Sequence, residues 1–120
     1  MAKKLPPPAV MLNLTIGHWV ARLTHVAAKL KLADHLKDGP RTAAHLAAAT
    51  GVHAPALYRV LRALASVGVF AETKGGRFKL TPLATTLQTG VPASLRSWAL
   101  MINERYSWDA WEELLYGVKT

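Results

Sequence analysis

Between Asp38 and Pro82 the sequence is punctuated at intervals that leave room only for small elements. Asp38-Gly39-Pro40 closes one segment, Gly51 and Pro55 separate two more, and Gly68 ends the next. Lys74-Gly75-Gly76 then divides two short runs of alternating hydrophobicity. Glycine ends helices because it takes up left-handed backbone without a side-chain clash, and proline cannot continue one. Thr42 stands as the N-cap of a helix over residues 43–49. Pro55 stands in the first turn of a second helix reaching about Val67, whose buried face is Leu57, Leu61, Leu64 and Ala65. Residues 69–72 and 77–80 read as the strands of a hairpin, with Phe78 and Leu80 pointing the same way because strand side chains alternate. Two short helices joined through a glycine turn and followed by a hairpin predict a winged helix-turn-helix. A two-stranded ribbon is not stable alone, so the hairpin must pack on the helices.

The flanks read as helical. Pro6-Pro7-Pro8 is a stiff extended leader. Leu12, Ile16, Trp19, Leu23, Val26 and Leu30 then follow at spacings of 4, 3, 4, 3 and 4, the seam of one long helix. Met11, Leu14 and Val20 lie off that seam and are also apolar. A single buried stripe needs only one such set, so the pattern predicts a helix covered on several sides, in part by a second chain. Residues 31–36 read as a further short helix. Thr81-Pro82 begins another that ends near Thr89-Gly90, and Pro92 opens the next, through about Asn103. The last spans about 106–116 and places Trp108, Trp111, Leu114 and Leu115 on one side. The expected class is mainly α, with N-terminal dimerisation helices over residues 1–40, the winged helix over 41–86 and a helical linker over 87–120.

Composition removes whole classes of chemistry. The chain has no cysteine, which excludes disulfides, cysteine-zinc sites, iron–sulfur clusters and cysteine nucleophiles, and suits a reducing cytoplasm. At 51% hydrophobic and 18% charged, its 120 residues are too apolar for a disordered tail. Leu5 to Ala21, as long as any run free of Lys, Arg, Asp and Glu, holds three prolines, Asn13 and His18 and is too broken to cross a bilayer. Lys3 and Lys4 ahead of an apolar run imitate a secretory leader, but Asn13 and Thr15 interrupt the run and no small-residue cleavage site follows. No glycine-rich loop leads from a strand into a helix, so no dinucleotide or phosphate cradle is expected. His18 and His25 can share a helix face, but two imidazoles without a third ligand read as surface or interface residues, and His35, His45 and His53 fall on other elements. Glu112 and Glu113 are the only adjacent acids, and neighbours on a helix diverge by about 100°, so they form no catalytic dyad. No catalytic, cofactor-binding or metal-ligating residue is assigned.

Fifteen Lys and Arg against seven Asp and Glu give a formal charge of +8, which raises the possibility of an anionic partner. A winged helix first suggests DNA. Arg59 and Arg62 on the second helix and Lys74, Arg77 and Lys79 on the wing are the residues that would contact it. The N-terminus of that helix, His53-Ala54-Pro55-Ala56, is poor in base-reading side chains, and the remaining basic residues are scattered.

A second reading rests on resemblance. The ordered set from Gly17-His18-Trp19 through Ala28-Lys29-Leu30-Lys31-Leu32-Ala33-Asp34 and Asp38-Gly39-Pro40 continues with Leu46-Ala47, Thr50-Gly51 and Ala56-Leu57-Tyr58-Arg59-Val60-Leu61-Arg62-Ala63-Leu64. It ends with Gly68-Val69-Phe70 and Arg77-Phe78-Lys79-Leu80-Thr81-Pro82-Leu83-Ala84. Over almost the whole chain, from about Met11 to Thr120, this resembles the N-terminal dimerisation domain of S-adenosylmethionine-dependent O-methyltransferases of the caffeate, acetylserotonin and bacterial polyketide type. The resemblance implies a homodimer through the N-terminal helices, with Met11, Leu12, Ile16, His18, Trp19 and Leu23 at the interface or reaching the partner's pocket. It makes the winged helix a structural module and Arg59 and Arg62 packing or ion-pairing residues, with nucleic acid and membrane set aside as partners. It implies that Met101, Asn103, Tyr106, Ser107, Trp108 and Trp111 line the wall of a pocket for a small aromatic or polyketide-like hydroxyl acceptor. S-adenosylmethionine would serve the complete enzyme and not be bound by this stretch. The doubly wound domain that carries the family's cofactor loop and catalytic histidine is not represented, so the stretch is expected to be a fragment or a stand-alone relic without catalysis of its own. A DNA-binding regulator and a dimer that modulates a full-length enzyme remain the alternatives.

Overall fold

The computed structural model describes residues 4–120 and contains α1 (Pro7–Thr15), α2 (Gly17–Lys29), α3 (Leu32–His35), β1 (Arg41–Thr42), α4 (Ala43–Thr50), α5 (Ala54–Ser66), β2 (Phe70–Thr73), β3 (Arg77–Leu80), α6 (Pro82–Thr85), α7 (Arg96–Ile102), α8 (Arg105–Glu112) and α9 (Leu114–Lys119). The winged helix forms through the local signals expected of it. Thr42 caps α4 by accepting a hydrogen bond from His45 N at 3.1 Å. Gly51 closes α4 in the left-handed region at φ 75°, with its N–H and that of Val52 both returning to the Ala47 carbonyl. Leu57, Leu61 and Leu64 of α5 are buried against Leu32, Leu36 and Leu46 from α3, the residues after it and α4. Phe70 and Phe78 close this core from the sheet.

The sheet departs from expectation by one strand. Arg41 and Thr42 pair antiparallel with Phe78 and Arg77, giving a three-stranded sheet in the order β1-β3-β2. Two residues are too few to show a strand period, so a capping threonine concealed its second role. Thr81 fastens the wing to the following helix. Its hydroxyl donates to the Val69 carbonyl at 2.6 Å and accepts from Ala84 N at 3.1 Å.

The long first helix is in fact two. The chain breaks at Ile16, whose backbone sits at φ −105° and ψ 11°. Gly17 weakens the helix there, and the Thr15 hydroxyl donates back to the Leu12 carbonyl at 2.8 Å. The seam divides accordingly. Leu23, Val26 and Leu30 are partly buried, while Leu12 and Trp19 remain 65% and 59% exposed. Beyond the wing, α6 ends at Thr85 instead of near Thr89, and α7 begins at Arg96 rather than at Pro92. A set of turns fills the interval, with Ala93 in the left-handed region at φ 58°. The final helix is interrupted at Glu113, and α8 and α9 contain no buried residue. A second small core joins Ala28 and Ala33 to Leu87 and Ala99, so α7 is held on α2. No helix among the described residues is long and apolar enough to cross a membrane.

Candidate functional site

The small side chains that seat α7 on α2 bring the start of α8 against the middle of α2. Asn103 is the one buried polar residue among those described. Its Nδ2 donates to the Ala99 carbonyl at 3.1 Å, and its own carbonyl accepts from Arg22 Nη1 at 2.6 Å. The Arg22 guanidinium lies 5.5 Å from the centre of the Trp108 ring, a cation–π contact that fixes the indole against α2. His18 meets the same indole edge-on at 6.1 Å.

Trp108 and Asn103 stand in the walls of two neighbouring cavities. One, of about 440 Å³, is largely apolar and is bounded by His18 and Ala21 of α2 and by Ile102, Asn103, Trp108 and Trp111. The other, of about 530 Å³, is bounded by Arg22, His25, Asn103, Glu104, Arg105 and Trp108. His25 Nε2 and Trp108 Nε1 are both buried, and neither has a hydrogen-bond partner among the described residues. The approach of Glu104 Oε1 to His25 Nε2, at 3.8 Å, is too long to be a hydrogen bond.

Of the residues expected to line a pocket, the structure gathers Asn103, Trp108 and Trp111 and adds His18 from the same chain. Met101 and Tyr106 are 47% and 63% exposed and line neither cavity, and Ser107 is partly buried without lining one. Leu23 packs on the winged-helix core of its own chain. Met11 and Leu12 lie on α1, which contains no buried residue, and Trp19 faces outward with its ring edge-on to His18 at 6.0 Å. Arg22 and His25 were missed. Arg22 lies four residues after His18 and three before His25, on the helix face that carries them both, so the spacing was visible.

The residues of the DNA reading divide differently. Arg62 Nη1 donates to the Tyr58 hydroxyl at 2.9 Å, and Arg62 Nε lies 3.2 Å from Glu72 Oε1 on β2. The Tyr58 hydrogen bond, with the charge of Glu72, raises the guanidinium pKa above its ordinary value. Tyr58 in turn meets Phe78 edge-on at 5.9 Å, so Arg62 ties the wing to α5. Arg59, Lys74, Arg77 and Lys79 are exposed. On the opposite side, Asp34 accepts from Thr89 N at 2.9 Å and Thr89 Oγ1 at 2.6 Å. Burial pushes the Asp34 carboxyl up. The two bonds from Thr89, with the charges of Arg96 and Lys31, outweigh burial and hold it below its ordinary value.

A helix-turn-helix core, a three-stranded sheet and a preceding apolar helix left uncovered by its own chain define a winged-helix module. The model of the O-methyltransferase dimerisation domain matches residues 12–90. The chain is 44% identical over 119 residues to the phenazine O-methyltransferase PhzM of Lysobacter antibioticus, covering 99% of this chain and 35% of that protein. The structure of LaPhzM superposes with a TM-score of 0.91 at 45% identity, over 97% of this chain and 35% of that one. CalO1, a methyltransferase in calicheamicin biosynthesis solved in its SAH-bound form, superposes with a TM-score of 0.75 at 41% identity, over 88% of this chain and 32% of that one. The chain belongs to the O-methyltransferase dimerisation domain family. It spans about a third of the length of the curated relatives it matches.

Proposed function

We propose that this chain is the dimerisation and acceptor-binding part of an S-adenosylmethionine-dependent O-methyltransferase, working as a homodimer in the cytoplasm. The observation that carries the reading is α1. Val10, Met11, Leu12 and Leu14 are 42%, 59%, 65% and 69% exposed on a helix that buries none of its residues in its own chain. Apolar area of this kind is a driving force for association at about 25 cal/mol per Å² covered, before the cost of bringing two chains together. A second copy, in which the same helix is equally uncovered, supplies a self-complementary partner.

In the proposed enzyme the methyl group passes from the sulfonium of the cofactor to an acceptor hydroxyl, with a base assisting its deprotonation. The described residues do not fit the cofactor. Their strands pair antiparallel, and Gly75-Gly76 turns β2 into β3 rather than a strand into a helix. No step of the transfer is therefore routed through them. Their contribution is the wall formed by His18, Asn103, Trp108 and Trp111, whose aromatic faces suit a flat, largely apolar acceptor. In this reading the winged helix over 41–86 is the rigid frame that holds the helices of 1–40 and 87–120 in place. Sedimentation equilibrium tests the proposal directly. A monomer–dimer equilibrium in the micromolar range or tighter is expected, and a chain that stays monomeric at high micromolar concentration overturns it.

A further inference from the structure

The polar cavity beside Trp108 has more hydrogen-bonding capacity than the protein uses. Arg22 carries five N–H donors, of which one is engaged, on the Asn103 carbonyl. Of the other charges lining the cavity, Arg105 Nε lies 3.7 Å from Asp109 Oδ2, and Glu104 Oε1 stands 3.8 Å from His25 Nε2, beyond hydrogen-bond reach. Arg22 has no carboxylate within ion-pair distance among the described residues, and its guanidinium carbon lies 5.5 Å from the centre of the indole ring that also borders the apolar cavity. The same wall holds Trp108 Nε1, which can only donate, and His25 Nε2, both shut from water and unpartnered. A buried donor without an acceptor is costly, and a ligand oxygen is the acceptor that removes the cost.

We infer that the two cavities are one bipartite subsite for a planar aromatic acceptor bearing a carboxylate, its ring against His18 and Trp111 and its carboxylate toward Arg22 and the Trp108 indole N–H. This rests on the proposed acceptor wall and adds the charge of the molecule that the wall receives. An arginine fork is suited to the task because it meets both oxygens of a carboxylate, and stacking on an aromatic ring leaves its edge free to do so.

Calorimetric titration of the chain with 1-naphthoate, and with 1-naphthamide as its neutral isostere, separates the two levels. The carboxylate is expected to bind about tenfold more tightly than the amide, the usual scale of one charge-assisted hydrogen bond. Arg22→Gln should erase that preference, bringing naphthoate affinity down to that of naphthamide. Trp108→Phe, which keeps a ring but removes the N–H, should weaken naphthoate more than naphthamide. Lys79→Gln changes the net charge equally on the wing and should leave the preference intact; if it erases it as fully, the preference is general charge and the inference falls. Equal affinity for the two probes in the unaltered chain also overturns the inference, with the acceptor wall still standing. Binding of neither probe overturns the wall as well. Should Arg22→Gln lose its helical circular dichroism, the Trp108→Phe comparison decides.

Discussion

Replacing Leu12 by Asp separates association in the proposed dimer from folding, because this side chain is not buried within its own chain. A fully buried Leu contributes about 1.5–3 kcal/mol relative to an exposed one. Leu12 is 65% exposed within its chain, so about two-thirds of that, about 1–2 kcal/mol, is still to be gained when a partner covers it. A twofold interface contains the residue twice, and the substitution costs the dimer about 2–4 kcal/mol even before the desolvation of two carboxylates is counted. That is a weakening of about 30- to 700-fold in the dimer dissociation constant. The monomer has no such stake, since α1 contributes no buried residue. Its stability at a concentration below the dimer constant should change by about 0.5 kcal/mol or less, the usual range for an exposed position. Sedimentation velocity across a dilution series measures the first quantity, and urea unfolding of the dilute protein measures the second. Leu61→Ala provides the opposite pattern. Leu61 is fully buried in the winged-helix core, and its truncation should cost the monomer about 2–5 kcal/mol. An unchanged dimer constant in Leu12→Asp refutes the reasoning, and so does a loss of monomer stability comparable with that of Leu61→Ala.

Three further outcomes follow from the contacts that hold the module together. Asp34→Asn should destabilise the fold by about 1 kcal/mol at neutral pH, because the carboxylate accepts two hydrogen bonds from Thr89. The folded-state pKa of Asp34 is depressed, so this contribution is complete above the unfolded-state value and is lost as pH falls through the folded one. The gap between wild type and variant in urea midpoints should therefore close in acid, and a gap that persists or widens there refutes the assignment. Thr81→Val removes both the cap of α6 and the bond to the Val69 carbonyl, and should cost about 1–2 kcal/mol in thermal or urea unfolding. Arg62→Ala and Glu72→Gln should be less damaging together than the sum of their separate effects on amide-exchange protection of β2, with the coupling weakened by salt. Strict additivity removes the role of Arg62 as a tie between wing and helix.

The parts of the fold visible in the sequence are those whose cause is local. The caps made by Thr42 and Thr81 and the left-handed turn at Gly51 each close on a partner within four residues, so their types and spacing announce the ends of α4 and the start of α6. The parts that were not visible depend on partners far along the chain. β1 exists because Phe78 and Arg77 offer it an edge, and nothing in Arg41-Thr42 by itself marks a strand. The break at Ile16 was hidden for the opposite reason. The apolar spacing runs straight through it, and a period records which face is greasy without recording whether the backbone stays continuous beneath it. Arg22 was passed over because an arginine on a basic chain reads as solvation. Its role comes from the Asn103 carbonyl, 81 residues away.

The same distinction governs what the apolar pattern says about the two ends of the described chain. Leu12 and Leu14 on α1, and Trp111, Leu114 and Leu115 on α8 and α9, are as apolar as the residues of the core. Each is more than half exposed. Periodicity identified both faces as surfaces to be covered and could not name the cover, since burial within a chain and burial between chains leave the same imprint on a sequence. The structure separates the cases by subtraction. Leu23, Val26 and Leu30 of the original seam find partners within their own chain, and Leu12 and Trp19 do not. The division falls close to the break at Ile16. An interruption at that point frees α1 from the orientation that α2 must keep against α5 and α7. A helix so released can meet a second copy without disturbing the wall that Arg22, six residues past the break, builds with Asn103 and Trp108.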